Sequence, residues 1–143
     1  MHKQQGISLL ELIIVISIFG ILSTAMLFDH SRCTQMRQLE ITAGIAEADL
    51  HGIRSKAAGS DCDCVAVFDT NGYRCEQIRI DGLRRLLKQN TYPLPITGST
   101  GTLGFKASGS AMYAGSIYLQ NTNGDQYKLI LAPVTGKITV RKL

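Results

Sequence analysis

Glu11 is the one formally charged side chain between residues 7 and 28, a segment that is otherwise almost wholly apolar. An ionised group at the centre of a bilayer costs roughly 2.5–3.5 kcal/mol, and less toward the interface, so this carboxylate calls for a cationic partner. Two opposite charges near 4 Å attract far more strongly in a low-dielectric setting than in water. The junction that introduces the acid is a short polar stub ending in Gly6, followed by Ile7-Ser8-Leu9-Leu10-Glu11.

Thiols form the second chemically interesting set. Cys33, Cys62, Cys64 and Cys75 permit three complete disulfide pairings. With Asn71-Gly72 as a two-residue loop, Phe68 faces Cys75 and Cys64 faces Arg79. Cys64 and Cys75 are then ~13 Å apart along the ladder, beyond the reach of a disulfide. A wider loop from Asp69 to Gly72 brings them closer, so the sequence allows one disulfide at most, with Cys64–Cys75 as the candidate and its identity open. Cys62-Asp63-Cys64 with Cys75 lacks the spacing and the fourth ligand of a zinc site, and no metal is expected. His2, His30 and His51 read as surface residues. Serine-hydrolase elbows, phosphate-binding glycine loops and metalloprotease pairs are absent from the sequence. The chain therefore reads as a non-enzyme without catalytic residues or cofactor.

Charge is unevenly distributed. Residues 29–76 hold five basic and eight acidic side chains (net −3), whereas residues 77–143 hold nine basic and two acidic (net +7). The basic set is Arg79, Arg84, Arg85, Lys88, Lys106, Lys128, Lys137, Arg141 and Lys142. Such polarity suits an anionic partner, a solvated face, or a contact with the acidic helix of a neighbouring subunit.

Three kinds of element must position these groups. As a helix, residues 7–28 extend ~33 Å, enough to cross a bilayer core. A secretory signal peptide fits poorly: the run is too long, no small-x-small cleavage site closes it, and a carboxylate sits at its start. Beyond it, Met36, Leu39, Ala43, Ala46, Leu50, Ile53 and Ala57 recur at spacings of three and four, one stripe of an amphipathic helix that should pack on a sheet. Gly59-Ser60-Asp61 is the expected stop, giving one helix from about residue 8 to 58; the alternative is two helices broken near residues 29–32.

After Gly59 the period becomes two. Cys64–Phe68 and Tyr73–Ile80 flank Asn71-Gly72, a strong hairpin signal. Further strands are expected over residues 101–106, 116–120, 127–132 and 137–141. The fold class is thus α+β: a long N-terminal helix packed on a β-rich, antiparallel head. The expected divisions are 1–6, 7–28, 29–58 and 59–143.

The junction at Gly6, Ile7 and Glu11 resembles the prepilin leaders of type IV pilins and type II secretion pseudopilins. That resemblance implies cleavage between Gly6 and Ile7 by a prepilin peptidase, N-methylation of Ile7, and neutralisation of a neighbour's N-terminus by Glu11 during filament assembly. Two positions depart from the pattern. Ile7 stands where phenylalanine is usual, and Phe28 where many major pilins carry proline, so no proline kink is expected there.

The second half, with Leu103-Gly104-Phe105, Gly115-Ser116-Ile117-Tyr118-Leu119, Tyr127-Lys128-Leu129-Ile130-Leu131 and Thr135-Gly136-Lys137-Ile138-Thr139-Val140, is similar to the GspH/FimT family of minor pilins and pseudopilins. The resemblance implies a sandwich-like head on a helical spine. It also implies other pilin or pseudopilin subunits and the prepilin peptidase as partners, and a single pass through the inner membrane with the N-terminus inside, before entry into a periplasmic or cell-surface filament. Some FimT-like members bind double-stranded DNA for natural transformation through a glycine-arginine-x-arginine element. The corresponding stretch here is Gly136-Lys137-Ile138-Thr139, with Arg141 and Lys142 following, so Lys137, Arg141 and Lys142 are the candidate DNA contacts. A non-polymerising membrane-anchored β-domain that binds an anionic ligand is the alternative of a different class.

Overall fold

The computed structural model describes residues 9–79 and 81–143, with the side chains of residues 25–31 left out. Gly6, Ile7, the expected helix start at Ser8, and the strand end at Ile80 lie outside the described residues, as does the Phe28 side chain. Two compact units divide the chain, Met1–Thr34 and Gln35–Leu143.

α1 spans Leu9–Ser60, and residues 29–32 are helical, so the expected alternative of a break there is not observed. In the first unit its apolar side chains face outward. Ser17, Ser23 and Thr24 donate their hydroxyls to the carbonyls of Ile13 (2.8 Å), Phe19 (2.7 Å) and Ile21 (2.7 Å). Each hydroxyl is thereby satisfied within the helix, which lets an apolar sleeve carry it without a stranded polar group.

In the second unit the stripe predicted from spacing is the buried face of α1. Leu39, Ala43, Ala46, Leu50, Ile53 and Ala57 are buried, and Met36 is half-buried. The helix ends at Ser60 with Asp61 at φ 51°, so an aspartate supplies the left-handed residue that glycine usually provides.

Among the described residues nine strands follow: β1 (Asp63–Asp69), β2 (Gly72–Ile78), β3 (Arg84–Thr91), β4 (Thr97–Gly98), β5 (Gly101–Phe105), β6 (Ala111–Tyr113), β7 (Gly115–Gln120), β8 (Gln126–Leu131) and β9 (Ile138–Lys142). They form two antiparallel sheets, ordered β3-β2-β1-β5-β6 and β4-β7-β8-β9. Cys64, Ala66, Phe68, Tyr73, Leu103 and Phe105 from the first sheet share one core with Ile117, Leu119, Leu129 and Leu131 from the second and with the α1 stripe. Phe68 and Tyr73 stack with centroids 5.0 Å apart.

The first hairpin differs from expectation by one residue. Asp69 pairs with Gly72, so the loop is Thr70-Asn71 rather than Asn71-Gly72. Gly72 instead serves the ladder: a Cβ there would sit 2.3 Å from the Asn90 carbonyl oxygen and 3.0 Å from the Thr91 Cα. Close approach of β3, not turn geometry, requires this glycine. Asp69 Oδ1 accepts the Thr70 amide at 2.7 Å and starts the turn.

Candidate functional site

Glu11 lies in the first turn of α1, where the positive end of the helix dipole favours a carboxylate. Its neighbours Leu9, Leu10, Leu12 and Ile13 are all exposed. Among the described residues, no cation pairs with it. The arrangement is an acid displayed on an apolar sleeve, which is chemistry suited to a partner outside the chain. Among the described residues, no helix is long and apolar enough to cross a membrane; the described side chains of the apolar run end at Thr24.

The three basic residues marked as DNA contacts do not converge. Lys137 follows the β8–β9 turn, and Arg141 and Lys142 are consecutive in β9, so strand alternation turns them to opposite faces. Lys142 reaches back to the Met36 sulfur at 3.7 Å. Arg141 is instead the register partner of Lys128 on β8, a neighbour that sequence spacing did not reveal. Lys137 lies roughly 16 Å from Lys142 along the extended chain.

Two further side chains organise this unit. Asp49, off the buried stripe, accepts the Tyr73 hydroxyl at 2.5 Å, Lys88 Nζ at 2.7 Å and Asn90 Nδ2 at 2.8 Å. It thereby ties α1 to β2 and β3. Burial raises the Tyr73 hydroxyl well above its ordinary range, and the hydrogen bond to Asp49 adds to this. Arg54 donates Nε to the Gly109 carbonyl (3.2 Å), Nη1 to that of Gly136 (3.1 Å) and Nη2 to that of Thr135 (3.5 Å). Its guanidinium carbon lies 6.0 Å from the Phe105 ring centroid. A lone aspartate and arginine on a helix carry no local signal of such long-range roles.

All four cysteines are free. The hairpin register pairs Cys64 with Gln77 and Cys75 with Ala66, which leaves the two thiols offset by two residues on one buried face. This replaces the four-residue offset expected from an Asn71-Gly72 loop. Burial, then the neighbouring Cys62, raises the Cys64 thiol, and burial, then Asp49, pushes Cys75 up to about 12. Both stay protonated and inert at neutral pH.

Residues 1–27 match the family described as the prokaryotic N-terminal methylation motif. The structure matches the minor pseudopilin EpsH from the type 2 secretion system of Vibrio cholerae with a TM-score of 0.60 and 16% identity, over 74% of this chain and 96% of that one. The α+β fold is like that of this pseudopilin. No curated protein matches the sequence. This chain thus joins an N-terminal methylation motif to a pseudopilin fold.

Proposed function

We propose that the chain is a minor pseudopilin of a type II secretion system or a minor pilin, a structural subunit and not an enzyme. The observation that carries this reading is the coincidence of the N-terminal methylation motif over residues 1–27 with a pseudopilin fold over most of the chain. In this reading a prepilin peptidase cuts between Gly6 and Ile7, Ile7 is N-methylated, and the apolar segment 7–28 holds the precursor in the inner membrane. The same segment then packs in the filament core, where Glu11 meets a neighbour's N-terminal amine. The length of the apolar run supports the membrane step, and the exposed acid among outward apolar side chains supports the pairing step. The secretion role is favoured over DNA uptake because Arg141 and Lys142, consecutive in β9, face opposite sides of the sheet.

Mass spectrometry after co-expression with a prepilin peptidase should show loss of Met1 to Gly6 and a methyl group on Ile7. An intact leader refutes the processing step. Glu11→Ala should leave membrane insertion intact and impair filament incorporation. Normal incorporation of that variant refutes the charge pairing, and insertion without incorporation of the unaltered chain favours a non-polymerising anchored domain.

A further inference from the structure

The outer face of the second sheet carries an unbalanced row of charge. Register aligns Tyr118 on β7, Lys128 on β8 and Arg141 on β9. The alternate residues Ile117, Leu119, Leu129 and Leu131 are buried, so this row faces away from the core. Lys128 and Arg141 thus stand directly opposite one another, and like charges so placed destabilise a ladder. The Lys128 ammonium lies 5.2 Å from the Tyr118 ring centroid, which offsets part of one charge. Among the described residues, no carboxylate pairs with either cation. Asp125, the nearest acid in sequence, accepts a hydrogen bond from Asn121 Nδ2 at 3.0 Å.

β9 is also the edge strand of its sheet, with Arg141 exposed and, among the described residues, one side of its backbone unpaired by any other strand. A strand added there would place one side chain next in the Tyr118–Lys128–Arg141 row, beside Arg141. We propose that β9 accepts an extended acidic segment of another protein chain by strand addition, with a carboxylate seated against Arg141. Backbone hydrogen bonds to the free edge supply affinity, and the row supplies selectivity for acid. Duplex DNA fits less well, because Lys142 turns to the opposite face and Lys137 sits at the far end of the strand, so no continuous track for a phosphate backbone forms. Basic edge residues also discourage pairing between copies of one chain. Preference for an acidic over a neutral strand is therefore the discriminating property. The inference stands apart from the processing and assembly reading, since it concerns only the second unit.

The test uses the full chain in detergent with three probes: a blocked peptide alternating glutamate and valine, its glutamine counterpart, and a short DNA duplex. Fluorescence anisotropy should show binding of the acidic peptide, and hydrogen exchange should show new protection at the amides of residues 138–142. Arg141→Glu should weaken that binding at least about tenfold, the loss of one charge-assisted hydrogen bond. Arg141→Gln is the second variant, expected to weaken binding in the same direction should Arg141→Glu fold poorly. No binding of either peptide overturns the proposal. Equal binding of both peptides, or binding of the duplex in place of the acidic peptide with loss on Lys137→Gln, overturns it as well.

Discussion

Replacing Asp49 by alanine should destabilise the second unit by roughly 2–4 kcal/mol. The figure follows from its three partners. The Tyr73 hydroxyl at 2.5 Å and the Asn90 amide at 2.8 Å are part-buried donors to a carboxylate whose side chain is 16% exposed. Hydrogen bonds to charged groups are worth about 1.5–3 kcal/mol each. The loss is smaller than their sum, because Asn90 Nδ2 still donates to the Tyr73 oxygen at 2.6 Å. Lys88, 49% exposed, regains water and adds about 0–1 kcal/mol. Lys88→Ala should therefore cost under about 1 kcal/mol, and Asp49→Asn should fall between the two. Denaturant unfolding followed by near-ultraviolet circular dichroism suits the assay, since the chain has five tyrosines and no tryptophan. An Asp49→Ala midpoint matching the unaltered protein, or a Lys88→Ala loss equal to that of Asp49→Ala, would refute the ranking of these contacts.

Gly72→Ala should lower stability by about 2 kcal/mol or more, because the new Cβ meets backbone that cannot swing away; a thermal midpoint within error of the unaltered protein contradicts this. The buried Cys75 thiol should make stability fall with alkaline pH. Its folded value is raised from 9.0 to about 12, so its contribution is complete below pH 9 and declines as pH climbs toward 12. Denaturant midpoints measured at pH 8 and pH 10.5 should differ less in Cys75→Ala than in the unaltered chain, and an unchanged difference rules out that contribution. Maleimide should label Cys33 in the native protein and reach Cys64 and Cys75 only after unfolding; rapid native labelling of Cys75 would show that the thiol is not sealed.

How much of this was legible in the sequence depended on how local each signal is. The stripe from Leu39 to Ala57 repeats within a single helix, and spacing alone located it. The junction at Gly6, Ile7 and Glu11 is a contiguous motif and equally plain. By contrast β3 was missed, because Arg84-Arg85-Leu86-Leu87-Lys88-Gln89-Asn90-Thr91 has no alternation to read. It is a largely exposed edge strand with a register shift opposite Cys75 and Glu76, so neither face imposes an apolar pattern. β4 and β6 are too short to leave a pattern. Gly72 was read as turn chemistry when its constraint comes from a strand eighteen or more residues ahead in sequence. Lys128 and Arg141 became neighbours only through pairing register, which spacing along the chain cannot supply, and strand alternation turns Arg141 and Lys142 to opposite faces.

Arg54 fastens two turns that belong to different sheets. The Gly109 carbonyl belongs to the β5–β6 connection, the Thr135 and Gly136 carbonyls to the β8–β9 connection, and a Cβ on Gly136 would come within 3.2 Å of the Gly109 oxygen. A single guanidinium thus works as a rivet through both layers and the spine beneath them. Neither layer is free to peel from the helix without first releasing the other at this end, so amide protection at the two turns should be lost together.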